Sequence, residues 1–544
     1  MRYNNMHTKT VQPSQERYTL RNSLVNYYLI LMFSLFPLFT SFYIDASFPF
    51  IHFDNAYFSI RHDKYYIFII LTGLSLITLL LLSLTYSDKN KKKEPSAEKK
   101  QRVIKTLSFT DWAMIAFLGS CVVSTLFSSY IRDAFWGTAG RNNGLLLMIF
   151  YVGAYFLITR FFYYKENTLL VLAAASVIVY LLAILNCFNV DPLGMYNNFT
   201  NAQDFETFTS TIGNKNLLSS YICITLPVFV TMSVHTDKFA HRIAYLTACA
   251  FGFMSLMTAD SDSGILGIGV FLVIYFIIYS RNISKLKRFF LAITVMLASA
   301  KILRLFSYIM DDNAKGMDKF QEIFVYSNIG YILIAVVGII TALLYFIDYK
   351  KPDLTFSKAV PIIFAVLFTL GIITALGTVI YFSIFDTTTD LGGFETLLRF
   401  NDKWGTHRGY MWIRSVWIFG DASIFEKLFG VGPDNYYYAF KPYFDGLIKY
   451  GDSSTNAAHN EYLNYLITIG IAGLASYLAI ICSAIKRAIN TARQNPVAIV
   501  FASAVICYSV QAVVNIAQPI TTPLFIIFIA LCEAVARCNT AQKF

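Results

Sequence analysis

Apolar residues in this chain run in blocks of about 18 to 24, separated by short polar segments. Each block is long enough to cross a hydrocarbon core of roughly 30 Å as a helix. In order they predict spans near 24–44, 65–86, 110–129, 144–163, 168–187, 217–234, 243–259, 264–280, 289–306, 325–347, 359–383, 461–485, 496–514 and 524–540, about fourteen in all. The first block is not followed by a small-residue cleavage site, so it reads as a span rather than a removable signal. The expectation is an all-α integral membrane protein in four parts: a two-helix segment with a basic linker (1–109), core helices (110–383), a long loop (384–460) and the last helices (461–544).

The polar segments set the sidedness. Those after every second span, 89–105 with its KNKKK run, 160–165, 238–242, 281–288, 350–358 and 486–493, are rich in Lys and Arg. Basic loops stay in the cytoplasm, which puts both termini there. The 89–105 stretch reads as a solvated linker that fixes orientation, with anionic lipid binding as the alternative. The complementary segments, 45–64, 130–143, 189–216, 260–263, 308–324 and 385–460, then face outward. The last is the longest, and its Trp, Tyr, Phe and Gly content predicts an ordered rather than disordered loop. Within it Arg408–Asp421 sets Tyr410, Ile413 and Trp417 on one helical stripe with Arg414 beside it, an amphipathic helix for the membrane surface. A Gly/Pro-punctuated turn over 428–435 returns the chain over whatever that helix helps to form.

Composition agrees with the pattern: 56% of residues are hydrophobic and 14% charged, against roughly 25% charged in soluble proteins. The net charge of +11 is spread over connecting segments, which argues against a nucleic-acid face. The eight cysteines, in or beside spans and without metal-ligand spacing, read as small packing residues. No Walker-type loop, HExxH or Gly-x-Ser-x-Gly elbow occurs, so nucleotide-driven chemistry and a bound cofactor are not expected.

Candidate chemistry gathers at the outward ends of spans. His459 stands directly before the span beginning near Glu461, where an imidazole can exchange a proton near neutral pH. Asn460 follows it; after nine further residues come Gly470 and Gly473, which predict close helix packing. Arg141, Lys215 and Arg408 are basic groups on the side where basic groups are disfavoured, and guanidinium forks match phosphate oxygens. Anchoring to lipid phosphates or pairing with carboxylates is the plainer use of each. Asp260-Ser261-Asp262 has a DxD form used by some metal-dependent glycosyltransferases, although Asp, Ser and the following Gly264 equally favour a turn.

These segments resemble the O-antigen ligase and polymerase superfamily of surface-polysaccharide enzymes. HNEYLNYLITIGIAG fits its His-Asn/Ser/Gln, nine residues, Gly-x-x-Gly signature, and GNKNLLSSYI, SDSGILGIG, RGYMWIRSVW and FGVGPDNY resemble further family segments in the right order. The resemblance implies a fold like the glycosyltransferase type C ligases and transfer of a glycan from an undecaprenyl-diphosphate carrier to an acceptor hydroxyl outside the membrane, without metal and with inversion. By the same resemblance His459 is the base, Arg408 and Arg141 hold the diphosphate, and Lys215, Arg414, Asn214 and Asn460 assist binding. Lys215 stands where many members have Pro, and Asp262 where many have Arg. Asp262 would then serve the acceptor or a metal, or Lys215 would complete the cradle. Ligase, polymerase and protein O-oligosaccharyltransferase share these motifs, and a flippase or exporter of lipid-linked glycan is the rival without chemistry. The nearly charge-free spans favour a reaction at the surface.

Overall fold

A computed structural model describes residues 20–41, 56–85, 107–138, 141–196, 199, 202–310, 315, 319–352 and 354–537. The basic 89–105 linker, Cys538 and part of the 45–64 loop lie outside them. Each of the fourteen apolar runs is occupied by a helix. They are α1 (Leu20–Phe33), α2 (Ala56–Thr85), α3 (Phe109–Leu126), α4 (Leu145–Phe161), α5 (Glu166–Cys187), α6 (Lys215–His235), α7 (Phe239–Thr258), α8 (Asp262–Tyr279), α9 (Ile283–Ile309), α10 (Asn328–Lys350) and α11 (Ala359–Ile380). After the loop helix α12 (Trp404–Asp421) come α13 (Glu461–Thr491), α14 (Val497–Gln511) and α15 (Thr522–Arg537).

Among the described residues, ten helices are long and apolar enough to cross a membrane. The chain is thus a multi-pass membrane protein. The four falling short are α1, α4 and α15, with 14, 17 and 16 residues, and α7, which has length but not sufficient apolarity. Some boundaries move from the sequence expectation. The first run bends after Phe33 into the short Leu35–Leu38 helix containing Pro37, while α13 continues to Thr491.

The bundle is built around α6, whose membrane-length window is wholly buried against α7, α8 and α14. α13 lies along α3, and α15 packs on α4 and α14. By contrast α11 buries no residue and leaves its apolar surface outward, as a helix facing lipid does. At the end of the bundle remote from His459, the buried Asp111 accepts from Arg160 at 3.0 Å and from Arg537, while Glu533 pairs with Arg487 at 2.6 Å and Arg537 at 2.8 Å. This network joins α3, α4, α13 and α15. Six of the seven described cysteines are buried; Cys482 is exposed, so the packing expectation does not extend to it.

The segment between α11 and α13 has a core of its own. Tyr410, Met411, Tyr436, Phe440 and Leu447 pack together and reach α13 through Ala458 and Ile467. The predicted amphipathic helix exists, but its buried positions are Gly409, Tyr410, Met411 and Ser415, whereas Trp417 is half exposed. Tertiary contacts rotate the buried stripe away from the Tyr410–Ile413–Trp417 line.

Candidate functional site

The site begins where α13 begins. Asn460 caps that helix, its Oδ1 accepting from Leu463 N at 3.0 Å. His459, one residue earlier, has φ +50, a backbone region that residues other than glycine rarely enter. Its neighbours keep it there. Ala458 N donates to Asn464 Oδ1 at 3.2 Å, and Trp412 Nε1 donates to Ala458 O at 2.9 Å. Among the described residues nothing hydrogen-bonds the imidazole of this half-buried residue, so both ring nitrogens are open. Burial first, then the charges of Arg408 and Arg141, lower its pKa to about 3. The ring is neutral at pH 7.

Those two arginines arrive from distant segments. Arg408 stands at the start of the regular part of α12, directly after three left-handed residues, Gly405, Thr406 and His407 at φ 58, 54 and 68. Two of these are not glycine, and stacking of the His407 ring on Tyr450 at 4.1 Å helps to hold the turn. The Arg408 guanidinium forms no ion pair or hydrogen bond among the described residues. Burial weakens its charged form and the Asp262 carboxylate supports it. Arg141 is buried, and its Nη1 donates to Asn456 O, joining its loop to the strand of chain that carries His459.

Asp434 holds that arginine loop. Its Oδ2 accepts from Thr138 N at 2.9 Å, Thr138 Oγ1 at 3.1 Å and Asn143 N at 3.2 Å, closing the two ends of the Thr138–Asn143 turn on one oxygen. Burial pushes the Asp434 carboxyl up, and Arg141 with the donors from Thr138 and Asn143 opposes that shift. Next to it Asn435 Nδ2 donates to Ser128 Oγ at 2.9 Å, and Ser128 Oγ donates to Val431 O at 2.6 Å. The Gly/Pro turn thus does return over the site, as a brace between the α3–α4 corner and α13.

Gly470 makes the other half of the brace. Expected as a packing glycine, it instead has φ +69 and kinks α13. Around the kink, Ile467 O and Thr468 O accept from Val431 N at 3.2 Å and Gly432 N at 2.9 Å, and Ser124 Oγ also reaches Thr468 O at 2.9 Å. A Cβ on Gly470 would lie 2.3 Å from Leu428 C, and one on Gly430 2.3 Å from Thr468 C.

The remaining sequence candidates are engaged elsewhere. Lys215 pairs with Asp260 at 3.1 Å. Asn214 caps α6, accepting from Asn216 N at 2.9 Å and Leu217 N at 3.4 Å. Arg414 grips Asp402 with both terminal nitrogens and lies 3.9 Å over the Tyr410 ring. The structure therefore brings together His459, Arg408, Arg141 and Asp262, while Asn460 serves as a cap. Asp434, Trp412 and the left-handed turn before Arg408 were not singled out by the sequence. The Pro-Asp-Asn of the turn was the one signal for Asp434, since Asp there suits both positive φ and backbone capping.

Residues 323–478 match the model of a family described as O-antigen ligase. This match over part of the chain supports membership of the O-antigen ligase superfamily. The matched segment contains Arg408, the Asp434 turn, His459, Gly470 and Gly473, but not the earlier segments bearing Arg141 and Lys215. No curated protein matches the chain. The matched domain suggests, broadly, an enzyme of glycan transfer in surface-polysaccharide assembly, and the family implies a lipid-linked glycan donor and a glycan acceptor as classes of partner.

Proposed function

We propose that this protein transfers a glycan from an undecaprenyl-diphosphate carrier to an acceptor hydroxyl at the outer face of the cytoplasmic membrane. The observation that carries the reading is an open, neutral imidazole flanked by two arginines from separate segments, Arg408 and Arg141. The acceptor oxygen attacks the anomeric carbon as its proton passes to His459. The bond from that carbon to the diphosphate oxygen breaks, and undecaprenyl diphosphate leaves with the electron pair. Arg408 and Arg141 stabilise the departing charge, as preorganised cations do most effectively out of bulk water. A single displacement of this kind inverts the anomeric centre. Asp262, beside Arg408, orients the acceptor or that guanidinium.

Sidedness is supported by charge. The basic segments 160–165, 238–242, 281–288 and 486–493 adjoin helix ends opposite to the His459 end, and basic segments favour the cytoplasm. The test is transfer in nanodiscs from a lipid-linked oligosaccharide to candidate acceptors. His459→Ala is expected to lower kcat by roughly 10²–10⁴, and Arg408→Ala to lower kcat while Arg408→Lys recovers part of it. Full activity in His459→Ala would remove it as the base. Lipid crossing the bilayer without product would favour the exporter, and arrest by a chelator would bring Asp260 and Asp262 into a metal-dependent reaction.

A further inference from the structure

Beside the His459 site the loop between α11 and α13 forms a cleft of about 660 Å³, within the roughly 300–1,000 Å³ of small-ligand sites. Its lining includes Glu395, Phe400, Asn401, Asp402, Lys403 and Tyr450. Phe400 and Tyr450 are half-buried, so each offers ring surface to a ligand. The two carboxylates are neutralised from behind, Glu395 by Arg399 at 2.6 Å and Asp402 by both terminal nitrogens of Arg414. They retain acceptor lone pairs without presenting uncompensated charge. On the same wall, Asn401 Nδ2 and Lys403 Nζ have no protein partner among the described residues.

Flat apolar rings next to paired acceptors and open donors match a pyranose. A sugar ring presents a face of C–H groups that packs on an aromatic ring and an edge of hydroxyls that both donate and accept. The cleft is also joined to the reacting end. Phe400 packs on Trp404 and Trp412 with ring centroids 5.6 and 6.2 Å away, and Trp404 lies 5.1 Å from Trp412. Trp412 is one helical turn beyond Arg408 and hydrogen-bonds the carbonyl of Ala458, the residue before His459. An aromatic wall therefore runs from the cleft to the backbone that carries His459.

We propose that this cleft is a saccharide subsite holding a sugar residue of the glycan substrate next to the reacting end; its place in catalysis rests on the transfer reading above. The glycan is that of the acceptor or that of the lipid-linked donor, and the two are separated by kinetics. The full chain in nanodiscs is titrated with lipid-free hexose tetramers, N-acetylhexosamine tetramers and the repeat-unit oligosaccharide released from the host's own lipid carrier, by tryptophan emission and saturation-transfer NMR. At least one should bind and perturb the emission of Trp404 and Trp412. Phe400→Leu and Asn401→Ala should each weaken that binding tenfold or more, Phe400→Tyr should retain it, and His459→Ala should bind as the wild type does.

In the transfer assay a raised KM for acceptor alone assigns the subsite to the acceptor glycan, and a raised KM for donor alone to the donor glycan. Absence of binding across the whole panel overturns the subsite, as does binding indifferent to both Phe400→Leu and Asn401→Ala. Unchanged KM values for both substrates in the variants overturn it too and leave the transfer reading standing. Cleft-dependent binding without any transfer by the wild type overturns the transfer reading and leaves the subsite. Because Asn401 is outside the aromatic stack, its variant reports on the cleft even where Phe400→Leu loosens the loop.

Discussion

His459 is a weak base in the free protein, first because burial disfavours its charged form and then because of the pair of cations that the proposed reaction needs. With a pKa near 3 it holds no proton at pH 7, yet it also binds one poorly. In the proposed reaction a diphosphate between Arg408 and Arg141 would offset their charge and raise the imidazole's proton affinity, so that donor binding would ready the base. The acid limb of kcat/KM, which reports the free enzyme, is therefore expected well below the pH of roughly 6.5 at which an ordinary imidazole titrates. The acid limb of kcat should lie higher. Arg408→Gln should move the kcat/KM limb upward toward 6.5; initial rates from pH 4 to 8 read both, and coincident limbs near 6.5 would contradict the coupling. Stability has a definite sign as well. The unfolded chain takes up the proton near pH 6.5 and the folded chain only near 3, so this group leaves stability unchanged above 6.5 and erodes it as pH falls below.

At the scale of elements the site depends on two backbone devices. Gly470 breaks the α13 ladder so that the 430–432 turn can take its carbonyls, and a side chain there meets both positive φ and the Leu428 backbone. Gly470→Ala is expected to cost about 1–3 kcal/mol for the dihedral alone, more with the clash, and to lower the thermal midpoint in detergent. A midpoint equal to wild type would show that α13 straightens without loss. Asp434 acts through Arg141 rather than on substrate. Asp434→Ala frees the Thr138–Asn143 turn and is expected to raise the donor KM more than it lowers kcat, whereas Asp434→Asn, which keeps an acceptor oxygen, recovers much of the binding. Equal loss in both variants would point to the charge rather than the brace.

Across the whole molecule the two ends of the bundle do different work. The end remote from His459 is tied by Asp111, Glu533 and their arginines, and a buried acid stripped of partners, or arginines stripped of their acid, cost roughly 3–5 kcal/mol. Asp111→Ala should therefore lower stability strongly yet leave the KM of the surviving enzyme for donor and acceptor unchanged. A changed donor KM at constant fold would mean that the ends communicate. The His459 end instead carries left-handed residues, Asn142, Asp260, Thr406, His407, Asp434 and His459 among them. Strain thus concentrates at the end where the proposed site lies, and the packed bundle beneath supplies the stability that tolerates it.

The sequence by itself determined the helices, their order and the residue to test first. A run of about 20 apolar residues in a bilayer has one economical structure, since only a helix satisfies its backbone internally. His459 was legible because it stands at a fixed spacing from Gly470 and Gly473 within one segment, and Arg408 because it precedes a periodic stripe. Tertiary structure alone decided the rest. Arg141 meets the His459 segment across 315 residues of sequence separation, and no local pattern encodes that meeting. Lys215 and Arg414 looked equally suited to an anion until the fold gave each a carboxylate, Asp260 and Asp402. Which cations remain open to a ligand is a property of what the folded chain places beside them, and pairing over such distances is settled only when the bundle closes.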